Sequence, residues 1–487
     1  MGCSIGKTHI EVKRGAMEEV KVAPGIFVQA NEKNFEEVYR IGKCIGSGTD
    51  SQVHICTHRS TAVRRAVKIF RKGAYQGQKE ERMINEIEIL KTLDHPNILR
   101  IYEFFEDRKH YYIVMEYCKG GPLSQEIERK QHFPEVQAAL LVSQIISAVC
   151  YLHERNIVHG ELCTDNILLE ERRTKDLTIK IVDFGNSGRR NHANRKSKTN
   201  TFLFCAPESI DGEPTKKSDV WSVGVMMYML LTGKPIVLGD SDAEIIDNLR
   251  RFNLNMSAAD WSQISEEGRQ FSEAMLAPLQ KRISAKQASR NQWLKDKAQT
   301  QLSIQVLEQV MENIRNFYVG NKLRDIVSTF IVTHCLTPND VKDLRDSFRK
   351  FDTNNDGKLS RMELLEQYKF VVGEAQAEEE VVRIFDAVDT DNSGYIDYTE
   401  FLKACIDPKK LLSKRNIAAA FGAFDKDTSG TITPSELKAI LDAEGLVDDE
   451  SWGEVVEQID ANGDGVIDLE EFEEIVLKTE SDKSSKA

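Results

Sequence analysis

Four stretches of twelve residues in the last third of the chain carry oxygen donors at one fixed spacing. The first offers Asp352, Asn354, Asp356, the Lys358 carbonyl, Ser360 and Glu363 around Gly357. The second offers Asp389, Asp391, Ser393, the Tyr395 carbonyl, Asp397 and Glu400 around Gly394. The third has Asp425, Asp427, Ser429, the Thr431 carbonyl, Thr433 and Glu436 around Gly430, and the fourth Asp460, Asn462, Asp464, the Val466 carbonyl, Asp468 and Glu471 around Gly465. Donors at positions 1, 3, 5, 7, 9 and 12, with Gly at the sharp turn and a bidentate Glu at the end, are the EF-hand arrangement for Ca²⁺. One such match is weak, but four in register, 37, 36 and 35 residues apart, form an internal repeat and predict four calcium sites. Position 8 is Leu359, Ile396, Ile432 and Ile467, apolar residues expected to pair neighbouring loops through a short strand. Loops two and four hold four carboxylates each against three in loops one and three, which predicts tighter binding there.

A second constellation lies upstream. It opens with Gly46-Ser47-Gly48-Thr49-Asp50-Ser51-Gln52-Val53, a kinase-type glycine-rich loop with Ser51 in place of its third glycine. Two glycines alone say little. In order there follow Ala66-Val67-Lys68, Glu86, His159-Gly160-Glu161-Leu162-Cys163-Thr164-Asp165-Asn166, Asp183-Phe184-Gly185, Ala206-Pro207-Glu208 and Asp219-Val220-Trp221-Ser222. The ordered series is specific to the machinery of phosphoryl transfer.

With the EF-hand loops behind it, the chain resembles the calcium-dependent protein kinases across about residues 39 to 480. In that family a kinase domain, a junction segment and a calmodulin-like domain share one polypeptide. The resemblance implies ATP and Mg²⁺ as cofactors beside Ca²⁺. Gly46, Gly48, Val53 and Ala66 would line the nucleotide, Lys68 would grip the α/β-phosphates and pair with Glu86, and Asn166 and Asp183 would hold magnesium. Glu116 and Cys118 would offer hinge backbone groups to adenine behind a gatekeeper, Met115, and Glu208 would pair with Arg282.

The same resemblance exposes departures. Glu161 stands where the family has the Asp that orients the attacking hydroxyl, and Cys163 where it has the Lys that steadies the transferring phosphoryl group. Gly160 replaces the Arg of the HRD motif, and Pro122 replaces an acidic residue that meets the ribose and a basic substrate residue. These changes strike positioning and charge stabilisation, the terms that dominate this reaction. The catalytic set is therefore Glu161, Asn166, Asp183, Lys68 and Glu86, with two readings open: a nucleotide-binding pseudokinase scaffold, or an active Ser/Thr kinase using Glu161 as base. A plain calcium buffer would leave the kinase frame without purpose.

The elements that must position these residues follow from periodicity. Tyr39 to Cys44, Gln52 to Thr57, Ala62 to Phe70 and Tyr111 to Met115 read as strands, and Glu80 to Thr92 as a helix. Residues 134 to 294 read as mostly helical, with clear apolar spacing over Ala138 to Leu152 and Val220 to Leu231. The expected fold is α+β: a bilobal protein-kinase fold followed by an all-α calmodulin-like domain of four EF-hands. Expected segments are an extension over 1–38, the kinase-like domain over 39–294, a junction over 295–340, the calmodulin-like domain over 341–480 and a tail over 481–487. In the junction, Ile304, Leu307, Met311, Ile314 and Phe317 mark an amphipathic helix expected to couple to the EF-hand domain, and a second apolar set runs from Leu323 to Val332.

Composition bounds the remainder. The 487 residues carry a net charge of −13, of which residues 341–487, with 18 basic and 35 acidic side chains, hold −17. Much of that acidity, 14 of the 35 acidic side chains, is expected ligand carboxylate rather than a sign of a basic partner, and nucleic acid is not expected. Nine scattered cysteines without a CxxC pair argue against a disulfide framework or structural zinc and for a reducing, cytoplasmic setting. The apolar run Val223 to Leu231 is too short to span a bilayer. Gly2 and Cys3 are expected sites of N-myristoylation and palmitoylation, although Gly6 departs from the usual pattern, and two acyl chains helped by Lys7, Lys13 and Arg14 would hold the chain at a membrane surface. The basic stretch Arg189, Arg190, Arg195, Lys196 and Lys198 reads as a solvated loop or a docking site for an acidic partner protein.

Overall fold

A computed structural model of the chain describes residues 24–28, 31, 33–48, 51–72, 78–171, 177–185, 187, 199–257, 261–298, 302–317, 322–441, 456 and 459–477. By packing, the chain divides into two compact units: Val28–Asn316 with Thr337–Cys405, and Met1–Phe27 with Phe317–Leu336 and Ile406–Ala487. The junction and the calmodulin-like segment thus each contribute to both units, a regrouping that sequence motifs do not announce.

The larger unit begins with an antiparallel sheet in the order β1-β2-β3-β5-β4, built from β1 (Tyr39–Ser47), β2 (Ser51–His58), β3 (Arg64–Arg71), β4 (Ile101–Glu106) and β5 (His110–Met115). The third strand starts later than its apolar pattern suggests, because Ala62 sits in a turn at φ +57. Val67 in β3 is buried in one apolar cluster and its neighbour Ala66 in another, so successive residues face opposite sides of the sheet. Helix α1 (Gln78–Lys91) occupies the position expected for Glu80 to Thr92.

Below the sheet, β6 (Gly121–Pro122), β7 (Ile167–Leu169) and β8 (Ile179–Ile181) form a small second sheet. The core there is carried by α2 (Glu135–Glu154) and α3 (Lys216–Thr232), whose Leu141, Val142, Ile145, Ile146, Val223 and Met226 are fully buried. Burying each such side chain stabilises the fold by about 1.5–3 kcal/mol. Helix α2 is long and apolar enough to cross a bilayer by length and composition, but 78% of its most apolar window is buried within the protein. Helix α3 is punctuated locally: the Thr215 side chain accepts from Ser218 N–H at its start, and Gly233 ends it at φ +73. Glu208 meets Arg282 through two hydrogen bonds of 2.5 and 3.1 Å, as the resemblance implies. Burial pushes the Glu208 carboxyl up, but the Arg282 hydrogen bonds win and hold it below the usual range.

The same unit contains α4 (Ile304–Arg315) and the first EF-hand pair, made of α6 (Lys342–Phe351), α7 (Arg361–Val372), α8 (Glu374–Val388) and α9 (Tyr398–Cys405). Of the expected apolar stripe, Met311 and Ile314 are buried together with Val310, while Ile304 is 72% exposed. The Tyr368 hydroxyl donates to the Met311 carbonyl at 2.8 Å, and Arg315 pairs with Glu380 at 2.9 Å, so the hand pair grips this helix. In the smaller unit, α5 (Lys322–Phe330) runs into a π-helical turn, Ile331–Cys335, and packs against α10 (Lys414–Phe424) and α12 (Leu469–Leu477); α11 (Pro434–Leu441) follows the third loop.

Candidate active site and calcium loops

Strand pairing sets the nucleotide face. Val53 lies directly opposite Lys68, Gly46 pairs with Val53, and Ala66, two residues from Lys68, pairs with Met115. Cross-strand partners and residues two apart share a face, so Gly46, Val53, Ala66 and Lys68 line one side of the sheet. Lys68 Nζ lies 2.7 Å from Glu86 Oε2 and 3.7 Å from Asp183 Oδ1. Burial and the Asp183 charge push the Glu86 carboxyl up, and Lys68 counters them. Glu116 N–H donates to the Arg100 carbonyl at 3.0 Å, and its carboxylate meets Lys180 at 3.0 Å, which fixes the first hinge residue. Gly48 N–H donates to the Ser51 carbonyl at 2.8 Å, closing the glycine-rich turn.

The loop between the lobes is held by Asp219, whose carboxylate accepts from His159 N–H at 3.0 Å, from Gly160 N–H at 2.8 Å and lies 2.9 Å from His153 Nε2. Gly160 takes φ +77, a conformation that costs a residue with a side chain about 1–2 kcal/mol. Asn166 Nδ2 donates to the Glu161 carbonyl at 2.9 Å, and Phe184 is fully buried beneath His159, their ring centroids 4.9 Å apart. Asp183 itself stands at φ +69 with its side chain half-exposed beside Lys68. Lys68, Glu86, Asn166 and Asp183 are therefore brought together in a form that fits a nucleotide and its magnesium. Cys163 is different: it is buried in the apolar core, and burial pushes its thiol up to about 12 despite N–H donors from Asn166 and Asp165. Position 163 is thus held by a neutral, buried thiol. Pro122 begins the helix Leu123–Lys130, and Ser124 Oγ donates to Asp165 nearby.

All four calcium loops share one hydrogen-bond scheme. The first Asp accepts from the N–H of the sixth residue: Asp352 from Gly357 at 2.9 Å, Asp389 from Gly394 at 2.9 Å, Asp425 from Gly430 at 2.9 Å and Asp460 from Gly465 at 2.7 Å. The last Glu takes the ninth residue's N–H, as Glu363 does from Ser360 at 2.9 Å, Glu400 from Asp397 at 3.1 Å, Glu436 from Thr433 at 2.9 Å and Glu471 from Asp468 at 3.0 Å. Position 8 pairs as expected, Leu359 with Ile396 and Ile432 with Ile467. Three observations fit a divalent cation. Carboxylate oxygens converge in Asp389, Asp391 and Glu400, and again in Asp425, Asp427 and Glu436. Asn354 Oδ1 is buried without a hydrogen-bond partner at a ligand position. Burial, with the nearby Asp356 and Glu363 carboxylates, pushes Asp352 far above the usual carboxylate range, a cost that a divalent cation removes.

Sequence reading overlooked position 4 of the loops, where Asn355, Asn392, Thr428 and Gly463 all have positive φ, between +54 and +78. The Asn and Gly residues there were the available signal. Gly2, Cys3 and the basic run Arg189, Arg190, Arg195, Lys196 and Lys198 lie outside the described residues.

Comparison with known proteins agrees with this geometry. The protein kinase domain family matches residues 39–294, and the EF-hand domain pair matches residues 341–406 and 414–477. Calcium-dependent protein kinase 4 of Plasmodium falciparum (isolate 3D7) is 35% identical over 486 residues, covering 96% of this chain and 92% of its own length. Calcium-dependent protein kinase 4 of Plasmodium berghei (strain Anka) is 34% identical over 484 residues with the same coverage, and calcium-dependent protein kinase 3 of that organism is 33% identical over 461 residues, covering 92% of this chain and 82% of its own length.

Proposed function

This chain belongs to the calcium-dependent protein kinases, and from that premise we propose that it binds Mg·ATP in an intact cleft, transfers the phosphoryl group poorly, and works chiefly as a calcium-switched scaffold for a partner protein. The observation that carries the reading is Cys163, a buried neutral thiol in place of a cation. Losing one transition-state donor of that kind costs on the order of a hundredfold in rate. Glu161 keeps a carboxylate but extends it by one methylene, and a misplacement of about 1 Å costs a similar factor. ATP with magnesium would supply the transferable phosphate, while Lys68, Glu86, Asn166 and Asp183 would bind and orient it. The ordered Lys68–Glu86 pair also favours a second reading, an active kinase in which Glu161 serves as base. A peptide phosphorylation assay at saturating and zero calcium decides between them. The wild type should be at least about a thousandfold slower than the Glu161→Asp, Cys163→Lys double variant; equal and ordinary rates would sink the scaffold reading.

Four calcium ions are the proposed complement, with loops two and four the tighter pair by carboxylate count. Calorimetry should return four sites; fewer sites, or the reverse ranking, would overturn this assignment. Calcium opens EF-hand helix pairs and uncovers apolar grooves, and the grip of the first pair on Ile304–Arg315 supports a switch read out through the junction. Acylation at Gly2 and Cys3 would add membrane attachment, tested by mass spectrometry of the expressed protein and by vesicle flotation.

A further inference from the structure

We infer that calcium in the first two hands and nucleotide at the hinge are thermodynamically linked through two kinase-domain side chains, Arg100 and Glu170. The inference rests on the nucleotide-binding reading above. All the groups involved lie within the larger unit.

Glu170 follows β7. Its carbonyl accepts the N–H of Lys119, the residue after hinge Cys118, at 2.9 Å. Its carboxylate meanwhile takes Nη1 of Arg345 at 3.0 and 2.8 Å. Arg345 is on α6, the helix that enters loop one, and only 6% and 8% of the two side chains is exposed. Removing one partner alone would leave the other charge buried and uncompensated, so any rearrangement of α6 must keep the pair together or expose both groups to water.

Arg100 bridges from the second loop. Its carbonyl holds Glu116 N–H at the start of the hinge, 3.0 Å away. Its guanidinium donates to Thr399 Oγ1 at 3.3 Å and to Asp94 Oδ1 at 3.1 Å, while Asp94 Oδ2 accepts Thr399 N–H at 2.8 Å. Thr399 sits immediately before Glu400, the bidentate ligand of loop two, in the first turn of α9. Arg100 therefore joins loop two directly to hinge backbone, and Glu170 joins the hinge side to α6, whose Arg345 lies seven residues before the first ligand position of loop one. Loop one is also held directly: Ser289 Oγ donates to the Asn354 carbonyl at 2.8 Å, and Gly357 lies against His95 so closely that an added Cβ would fall 2.4 Å from the ring.

Calcium binding reorients the helices that flank an EF-hand loop. Here α6 and α9 are those helices, and each is anchored to a residue that also fixes the hinge. A change at either end must alter the other's free energy, and the coupling is reciprocal. The second hand pair belongs to the other unit, and the linkage concerns the first two loops alone.

The test uses the full chain and Mg·ATP, titrated calorimetrically at saturating calcium and in chelator. The nucleotide Kd should differ by at least about fivefold between the two conditions, and saturating nucleotide should shift the calcium midpoint of two sites by the same factor. Arg345→Leu and Thr399→Val, which keeps the backbone N–H to Asp94, should each reduce that factor while nucleotide still binds, and the double variant should bring it to about one. Kd values equal within about twofold, or Arg345→Leu retaining the whole factor, would overturn the inference. Should Mg·ATP bind in neither condition, the nucleotide reading falls alone, and hydrogen exchange of the amides of residues 116–120 decides the coupling. Slower exchange with calcium in the wild type but not in the Arg345→Leu, Thr399→Val double variant supports it; protection indifferent to calcium overturns it.

Discussion

Cys163 shows how far a residue type alone can be read. Its place two residues after Glu161 puts it in the catalytic-loop motif, but only burial settles that its thiol stays neutral and inert. Below about 12 the folded thiol keeps its proton, whereas an unfolded one ionises near its ordinary value of 9.0. Between those values the unfolded chain alone loses a proton, so this group's contribution to stability is complete below pH 9 and fades as the pH rises toward 12. At pH 8 the native protein should resist iodoacetamide at Cys163 while exposed Cys44 reacts, and Cys163 should become reactive in denaturant. Equal labelling rates at the two positions in the native state, read by mass spectrometry, would contradict the buried placement. Asp219 was visible in its motif, yet its three contacts to His153, His159 and Gly160 join residues about 60 positions apart. No local pattern encodes such a convergence.

At the scale of the element, the repeated twelve-residue loops and the pairing of their eighth residues were legible in advance, because both follow from a short local spacing. Their surroundings were not. Burial pushes Asp397 up to about 7, with the Asp94 charge adding to it, and burial likewise takes Glu400 to about 7. Both carboxyls are thus protonated below that value when no cation is beside them, and the stability they lend the calcium-free loop is lost as pH rises from about 4 through 7. Calcium must displace these protons. Loop-two affinity should therefore fall as pH drops from about 8 to about 6, and calorimetry at about pH 6.5 in buffers of different ionisation enthalpy should report proton release; heats independent of buffer would refute it. The turn glycines diverge as well. Gly430 at φ +89 has nothing within 4 Å of an added Cβ, so Gly430→Ala should cost only the backbone strain, about 1–2 kcal/mol. Gly357→Ala adds a clash with His95 and should lower the midpoint of thermal unfolding more, a ranking that paired melting curves of the two variants check directly.

The whole molecule is where calcium and stability meet. Ligands that bind only the folded state stabilise it, by about 2.7 kcal/mol per site at a hundred times Kd. Saturating calcium should therefore raise the unfolding temperature of the full chain, and chelator should reverse the rise; a calorimetric midpoint indifferent to calcium would mean that the hands do not bind in the folded protein. The order of the kinase and EF-hand modules, the repeat of the twelve-residue loops and the kinase frame were all determined by sequence, since each depends on residue types at short fixed spacings. The strand partners that set Val53 against Lys68, the depth of Cys163, the division of the hand pairs between two units and the anchors Glu170–Arg345 and Arg100–Thr399 were decided only by tertiary structure. Those features join residues as many as 299 positions apart. Burial and long-range pairing depend on which surfaces meet when the chain packs, and that information is spread over the whole sequence rather than written at any one position.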